Sequence, residues 1–99
     1  MLNINKNLDG EKLSISLEGR LDTVTAPEFE AELKDSLDVV TELILDMKDL
    51  EYISSAGLRV LLTAQKSMNQ KGSMKLINVN DTVMEIFDVT GFVDILTIE

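Results

Sequence analysis

One stretch, residues 52–62, most constrains the fold of this chain, because it joins a strand end, two serines and a helix start. Upstream of it, Glu42 to Met47 is an apolar run with β-branched character, which is typical of an inner strand. Downstream, mostly apolar residues recur on one face at helical spacing. They are Leu58, Leu61, Leu62, Gln65 and Met68. The stretch therefore predicts a strand that leads directly into a buried helix.

Ser54 and Ser55 occupy the predicted start of that helix. Either is placed to act as the N-cap, where a serine oxygen accepts a hydrogen bond from an otherwise unpaired backbone N–H. Gly57 lies in the first turn, where glycine costs up to about 1 kcal/mol relative to alanine, and so indicates close approach of another backbone or a partner. A free hydroxyl at a dipole-positive helix tip also suits a phosphate. From spacing alone, capping is the simpler interpretation.

The remaining sequence predicts one small α/β domain over residues 1–99. Alternation of apolar and polar residues in 2–5 and 13–17 predicts two strands, paired as a hairpin across Leu8-Asp9-Gly10. Further strands are expected at 42–47, 74–79 and 92–98, and helices at 25–37, 55–71 and 81–90. The short connections imply right-handed crossovers and a small mixed, mostly parallel sheet of about five strands with three helices.

The helix ends carry recognisable signals. Thr25 with Glu28 three residues later predicts a capping box, and Pro27 between them suits a first turn. Lys71-Gly72 closes the second helix with a basic residue and a glycine. Asn80-Asp81 caps the third.

Functional groups in open sheets of this kind gather beyond the carboxyl ends of the strands. Asp22 follows the second strand, and Asp46 is expected near the end of the third. We therefore expect both carboxylates to lie near the Ser54-Ser55 helix tip.

The composition argues against catalysis. The chain has no histidine and no cysteine, so Ser55 lacks the partner that a nucleophilic serine needs. Neither a P-loop nor a G-x-G-x-x-G motif occurs. Asp46, Asp49 and Glu51 suit a hard cation as oxygen ligands, but solvated turn carboxylates are the simpler interpretation. Small α/β domains can also accept a phosphate on an aspartate at a strand end, with an acidic pair and a lysine nearby. Asp46 is a candidate for that role, but the chain has neither the acidic pair on its first long strand nor the lysine at its last strand. We expect no enzymatic activity, no cofactor and no metal.

The net charge is −9, from 18 acidic and nine basic residues. Such a surface repels nucleic acid and anionic lipid and favours a basic or mixed-charge protein partner, although solubility alone also explains it. No apolar run is long enough to span a bilayer, and residues 1–6 lack a continuous apolar signal segment. We expect a cytoplasmic protein that does not insert into membranes.

The segment 52–58, Tyr-Ile-Ser-Ser-Ala-Gly-Leu, resembles the signature of the anti-sigma factor antagonists, bacterial members of the STAS-domain family. Residues 19–22 (Gly-Arg-Leu-Asp), 43–47 (Leu-Ile-Leu-Asp-Met) and 80–91 resemble further motifs of that family. The resemblance covers nearly the whole chain and implies a STAS-like fold.

The resemblance implies partner switching. The unphosphorylated antagonist would bind an anti-sigma factor that is also a serine kinase, and thereby free a sigma factor. By the family pattern Ser55 would be the phosphoacceptor, with Ser54 as its rival, and a serine phosphatase would restore it. Asp22 and Asp46 match positions beside the acceptor. The implied contact residues are Asp22, Asp46, Ser54, Ala56, Gly57 and Arg59.

Two features depart from the family pattern. Ser54 replaces the usual aspartate before the acceptor, which removes a charge from the site. The sequence also ends at the last predicted strand, without the C-terminal helix that many members carry. The main alternative keeps the fold and drops the switch: STAS domains also serve as constitutive subunits of lipid- or anion-transport assemblies.

Overall fold

A mixed four-stranded sheet forms the centre of the computed structural model, which describes residues 2–99. Its strands are β1 (Leu2–Asp9), β2 (Lys12–Leu21), β3 (Glu42–Ile53) and β4 (Ser73–Ile77), adjacent in that order. β1 and β2 form an antiparallel hairpin, whereas β2–β3 and β3–β4 are parallel. The predicted α/β class and the hairpin-led, mostly parallel sheet are confirmed, with four strands in place of about five.

Three helices connect and cover these strands: α1 (Ala26–Leu37), α2 (Ser55–Lys71) and α3 (Asp81–Thr90). Their bounds agree with the helices predicted from apolar spacing. α1 packs against α2, and α3 packs on β3. None of the helices within residues 2–99 combines the length and the hydropathy that a transmembrane span requires.

The core lies on one face of the sheet. In β2, Leu13, Ile15 and Leu17 are buried, whereas the serines between them are half-buried. Their register partners Leu43 and Leu45 in β3 are also buried, because directly paired residues face the same side of a sheet, whereas the paired residues of β1 are half-buried or exposed. Ile44 projects to the other side: it is 9% exposed and stands apart from the core cluster.

β3 is longer than predicted. The apolar run predicts a strand that ends near Met47, with Asp49 in the following turn, yet the strand continues to Ile53. Its register with β2 shifts twice, between Ser16 and Glu18 and again between Gly19 and Arg20 on the β2 side. Such bulges insert extra residues into one strand, which lets exposed polar residues occur within it.

The predicted last strand, 92–98, is wrong. Gly91 ends α3 in a left-handed conformation (φ 80°), and a 3-10 helix follows at Phe92–Asp94. The segment meets β4 in one isolated parallel bridge, Ile98 to Leu76, made by hydrogen bonds from Leu76 N to the Thr97 carbonyl and from Glu99 N to the Leu76 carbonyl (both 2.9 Å). Folding back in this way buries Leu96, so packing outweighs the strand propensity of the segment.

Candidate functional site

The junction between β3 and α2 separates the two serines. Ser54 still continues the pairing of β3 with β2 at the carboxyl ends of these strands, because its backbone N–H donates to the Leu21 carbonyl (2.9 Å). It is the N-cap of α2 in extended conformation (φ −98°, ψ 176°), and its carbonyl accepts from Leu58 N (2.9 Å). Its hydroxyl oxygen is buried and has no hydrogen-bond partner among residues 2–99. Ser55, by contrast, is the exposed first residue of α2.

Ser54 occupies the predicted N-cap position, but its hydroxyl does not accept the expected hydrogen bond from a backbone N–H of α2. No side chain of the described residues caps α2. An α-helix leaves its first N–H groups without intrahelical partners, so the tip of α2 keeps free donors and the positive end of its dipole. Both lie beside the exposed Ser55 hydroxyl.

Gly57 allows this tip to lie close to the sheet. A Cβ at this buried position would lie 2.7 Å from Leu21 Cγ and 2.9 Å from Ile53 Cγ1. The close approach predicted from the glycine is present, but the atoms involved are side chains of the domain itself rather than another backbone or a partner. Gly57 therefore positions the two serines and is not itself an accessible contact.

Asp22 organises the loop between β2 and α1. Its Oδ1 accepts from Val24 N (3.0 Å) and Thr25 N (3.1 Å), and its carbonyl accepts from Ala26 N (2.8 Å). The Thr25 backbone N–H is the strongest of the effects that hold the pKa of Asp22 below its usual range. The Val24 N–H, the Thr25 hydroxyl and the Arg20 guanidinium act in the same direction.

The predicted capping box of Thr25 and Glu28 is wrong. Thr25 holds the N-cap position, but its side chain makes no cap hydrogen bond and its backbone is already helical. The buried hydroxyl instead donates to the Arg20 carbonyl (2.8 Å) and accepts from Asp22 N (2.9 Å). Thr25 thus ties the end of β2 to the start of α1.

Arg20 and Tyr52 form a contact that sequence reasoning missed. They are register partners on β2 and β3, and the Arg20 Cζ lies 4.5 Å from the Tyr52 ring centroid. Arg20 Nε also lies 3.9 Å from Asp22 Oδ2. Leu21 and Ile53 are the next register pair, so this cation–π pair borders the serine junction. A single sequence does not reveal it, because it depends on the bulged register.

Asp46 does not join this site, which corrects the expectation that it lies beside Ser55. It pairs with Ser16, whereas Ile53 pairs with Leu21, five residues further along β2. At about 3.3 Å per residue this separation is roughly 16 Å. The Asp46 carboxylate instead accepts from Lys48 N (3.0 Å) and Asn78 Nδ2 (3.2 Å). The prediction failed because β3 continues past Met47.

An apolar groove, the Ser55 groove, lies between α2 and the end of α3. It is lined by Ser55, Leu58, Arg59, Leu62, Thr90 and Phe92. Exposed Val89 and Val93 occur in the segments that supply its far wall. Arg59 also borders a second depression, together with Ala56 and α1 residues that include Glu30. An apolar surface beside a reachable hydroxyl suits a protein partner.

The structure offers little for metal binding. No cluster of three or more acidic side chains among residues 2–99 is arranged to hold an ion. The chain also contains no histidine or cysteine. What the site presents is an exposed hydroxyl, free helix N–H groups and an apolar groove.

Comparison with known proteins places this geometry in a family context. The sequence matches the STAS domain family over residues 3–99. BtrV of Bordetella bronchiseptica, a proposed anti-sigma factor antagonist, is 37% identical over 93 residues, 92% of this chain and 79% of BtrV. The anti-sigma-B factor antagonist of Listeria monocytogenes is 33% identical over 100 residues, 95% of this chain and 84% of that protein.

Solved structures share the fold. The anti-sigma factor antagonist SpoIIAA in its unphosphorylated form gives a TM-score of 0.84 at 21% identity, over 98% of this chain and 88% of SpoIIAA. Its phosphorylated form gives a TM-score of 0.76 at 20% identity, over 98% and 91% of the two chains. At these identities the similarity concerns the fold alone.

Proposed function

The chain belongs to the STAS domain family, and on that premise we propose that it is an anti-sigma factor antagonist gated by phosphorylation of Ser55. The unphosphorylated domain binds an anti-sigma factor that is also a serine kinase, and this binding frees a sigma factor. Phosphorylation of Ser55 by the kinase releases the domain, and a serine phosphatase restores it. The domain binds and releases partners without catalysing a reaction of its own.

The exposure of Ser55 is the observation that carries this proposal. A kinase must bring the acceptor hydroxyl into its own active site, and Ser55 is exposed at the first residue of α2. The hydroxyl oxygen of Ser54 is buried. This difference favours Ser55 over its rival as the acceptor.

The helix tip is suited to carry the added charge. Phosphorylation adds about −1.5 to −2 charges at pH 7. The free N–H groups and the dipole of α2 stabilise an anion at this end, and no side-chain cap among residues 2–99 competes for them. SpoIIAA, which has the same fold, is known in phosphorylated and unphosphorylated forms. We therefore expect the domain to stay folded after modification.

The same charge opposes partner binding. The proposed contact surface is the Ser55 groove together with Ala56, Ser54 and Asp22. A partner that packs on this groove must strip water from whatever Ser55 carries, and a phosphate loses far more hydration than a hydroxyl. Each 1.4 kcal/mol of that penalty weakens binding about tenfold. Asp46 lies outside this surface, so we leave it out of the proposed contacts.

Site mapping tests the proposal. The chain, Ser54→Ala and Ser55→Ala are each incubated with ATP and the cognate kinase, and phosphate is located by mass spectrometry. We expect one phosphate on Ser55 in the first two proteins and none in Ser55→Ala. Phosphate on Ser54, or on neither serine, would contradict the proposal. Co-purification with a transport ATPase or permease and an unmodified Ser55 in cells would favour the constitutive subunit instead.

A further inference from the structure

We infer that Arg59 is the intrahelical clamp of a phosphate on Ser55: its guanidinium binds the phosphoryl oxygens one helical turn from the modified residue. The inference rests on the proposed function, because it assigns a counter-ion to the phosphate that this function places on Ser55. Arg59 thereby acts as a positioning residue of the switch.

Helix geometry brings the two side chains together. Ser55 and Arg59 are at positions i and i+4 of α2, where Cβ atoms lie about 5–6 Å apart. Side chains of a helix lean towards its N-terminus, so we expect the Arg59 guanidinium to reach the turn that contains Ser55. Both residues are exposed, and both line the Ser55 groove. An anion placed N-terminal to a cation at this spacing is also the favourable orientation.

Arg59 is free to take up this role. Within residues 2–99, ion pairs join Lys6 to Glu32, Arg20 to Asp22 and Lys75 to Glu99, and none involves Arg59. Glu30 of α1 lines a depression together with Arg59 but forms no ion pair with it. A guanidinium also matches a phosphate better than an ammonium does, because its planar fork donates two parallel hydrogen bonds.

The clamp changes what the surface offers a partner. Without phosphate, Arg59 presents an unpaired cation at the edge of the Ser55 groove. With phosphate, the guanidinium is engaged within α2 and the phosphate is held against the groove wall formed by Leu58 and Leu62. One modification thus adds an anion and withdraws a cation from the same contact surface.

The titration of the phosphate tests the clamp directly. Phosphoserine is installed at position 55 in place of Ser55 by amber-codon incorporation, and its second pKa is measured by ³¹P NMR at low salt. A nearby guanidinium favours the dianion and lowers this pKa, which is about 6 in the free residue. We expect Arg59→Gln to raise the measured value by about half a unit, equivalent to about a threefold change in proton affinity.

The matched control is Lys66→Gln. Lys66 is an exposed cation on the same helix, 11 residues from Ser55 and so roughly 16 Å along the axis. We expect this variant to titrate like the parent. Equal pKa values in the parent and Arg59→Gln, or equal shifts in Arg59→Gln and Lys66→Gln, would overturn the clamp. Because the phosphate is installed without a kinase, failure here leaves the proposed function standing, and failure of kinase mapping leaves this titration valid.

Discussion

Ser54 and Ser55 are chain neighbours, yet only one of them offers its hydroxyl to solvent. The sequence left both as candidates because a shift of one residue in the start of α2 would exchange their surroundings. The structure sets that start through contacts on the sheet side. Ser54 N bonds to Leu21, and Gly57 lets the first turn lie against Leu21 and Ile53. Exposure of the proposed acceptor therefore depends on a glycine two residues away.

Gly57→Ala tests that dependence. Alanine would regain up to about 1 kcal/mol of helix propensity, but its Cβ would overlap Leu21 and Ile53. Overpacking of this kind typically costs 1–3 kcal/mol, so we expect a net loss of roughly 1–2 kcal/mol in the free energy of unfolding. Urea denaturation followed by circular dichroism measures it.

The control for Gly57→Ala is Gln70→Ala, an exposed position on the same helix. It should change the free energy of unfolding by no more than about 0.5 kcal/mol. A Gly57→Ala protein as stable as the parent would show that the first turn of α2 is not held against the sheet.

Asp22 gives a prediction about pH. Its pKa is lowered in the folded state, chiefly by the Thr25 N–H, so its stabilising contribution is present above the unfolded value, about 3.9. The contribution is lost as pH falls below that value and through the folded pKa. We expect Asp22→Asn to be less stable than the parent at pH 7, with a difference that shrinks below about pH 4. Thermal unfolding at pH 7, 5, 4 and 3 measures it, and a difference that stays constant with pH would contradict the assignment.

The helices were predictable as elements from their apolar spacing, although the expected side-chain caps of α1 and α2 are absent from the described residues, whereas the signals at the end of α2 and the start of α3 hold. Gly72 ends α2, and Asn80 caps α3 through a bond from Val83 N to its Oδ1 (3.0 Å). Glycine is also required at position 72 by a close backbone contact that the local sequence pattern does not show. A Cβ there would overlap the Thr41 carbonyl oxygen, so only glycine fits.

The strands were less predictable, because pairing decides their lengths. Lys48 and Asp49 are polar residues of the kind that often form a turn, but β3 continues through both of them because it pairs with β2. Because β3 is longer than expected, Asp46 lies far from its carboxyl end and Tyr52 pairs with Arg20. The same extension therefore explains why Asp46 was wrongly expected at the site and why the Arg20–Tyr52 contact was missed. The register of two strands depends on residues that are distant in sequence, and a single sequence does not show which of them pair.

The cap of α3 makes a prediction for an element. Asn80 accepts from Val83 N and donates to the Leu50 carbonyl (2.7 Å), which links α3 to β3. Asn80→Ala loses the cap, worth about 0.5–2 kcal/mol, and the link, worth about 0.5–1.5 kcal/mol. We expect a total loss of about 1–3 kcal/mol in urea denaturation. Asn80→Asp keeps the acceptor and should lose less; equal losses would show that the cap contributes nothing.

Across the whole molecule, the residues that stabilise the fold are distinct from those proposed for recognition. The core cluster lies on one sheet face, whereas Ser55 stands outside it at the tip of α2. The chain already carries a net charge of −9, and interactions between exposed charges are screened beyond about 8–10 Å. A phosphate on Ser55 therefore acts mainly on the adjacent groove. The acidic surface as a whole favours encounter with a basic partner.

The decisive measurement for the phosphorylation switch is the dissociation constant of the cognate anti-sigma factor, determined with unphosphorylated and with Ser55-phosphorylated chain. We predict at least about tenfold weaker binding after phosphorylation, with thermal unfolding of the free domain unchanged within about 2 °C. Ser55→Ala should bind like the unphosphorylated parent, and Ser55→Asp should bind more weakly. Equal dissociation constants for all four proteins would contradict the claim and remove Ser55 from the mechanism.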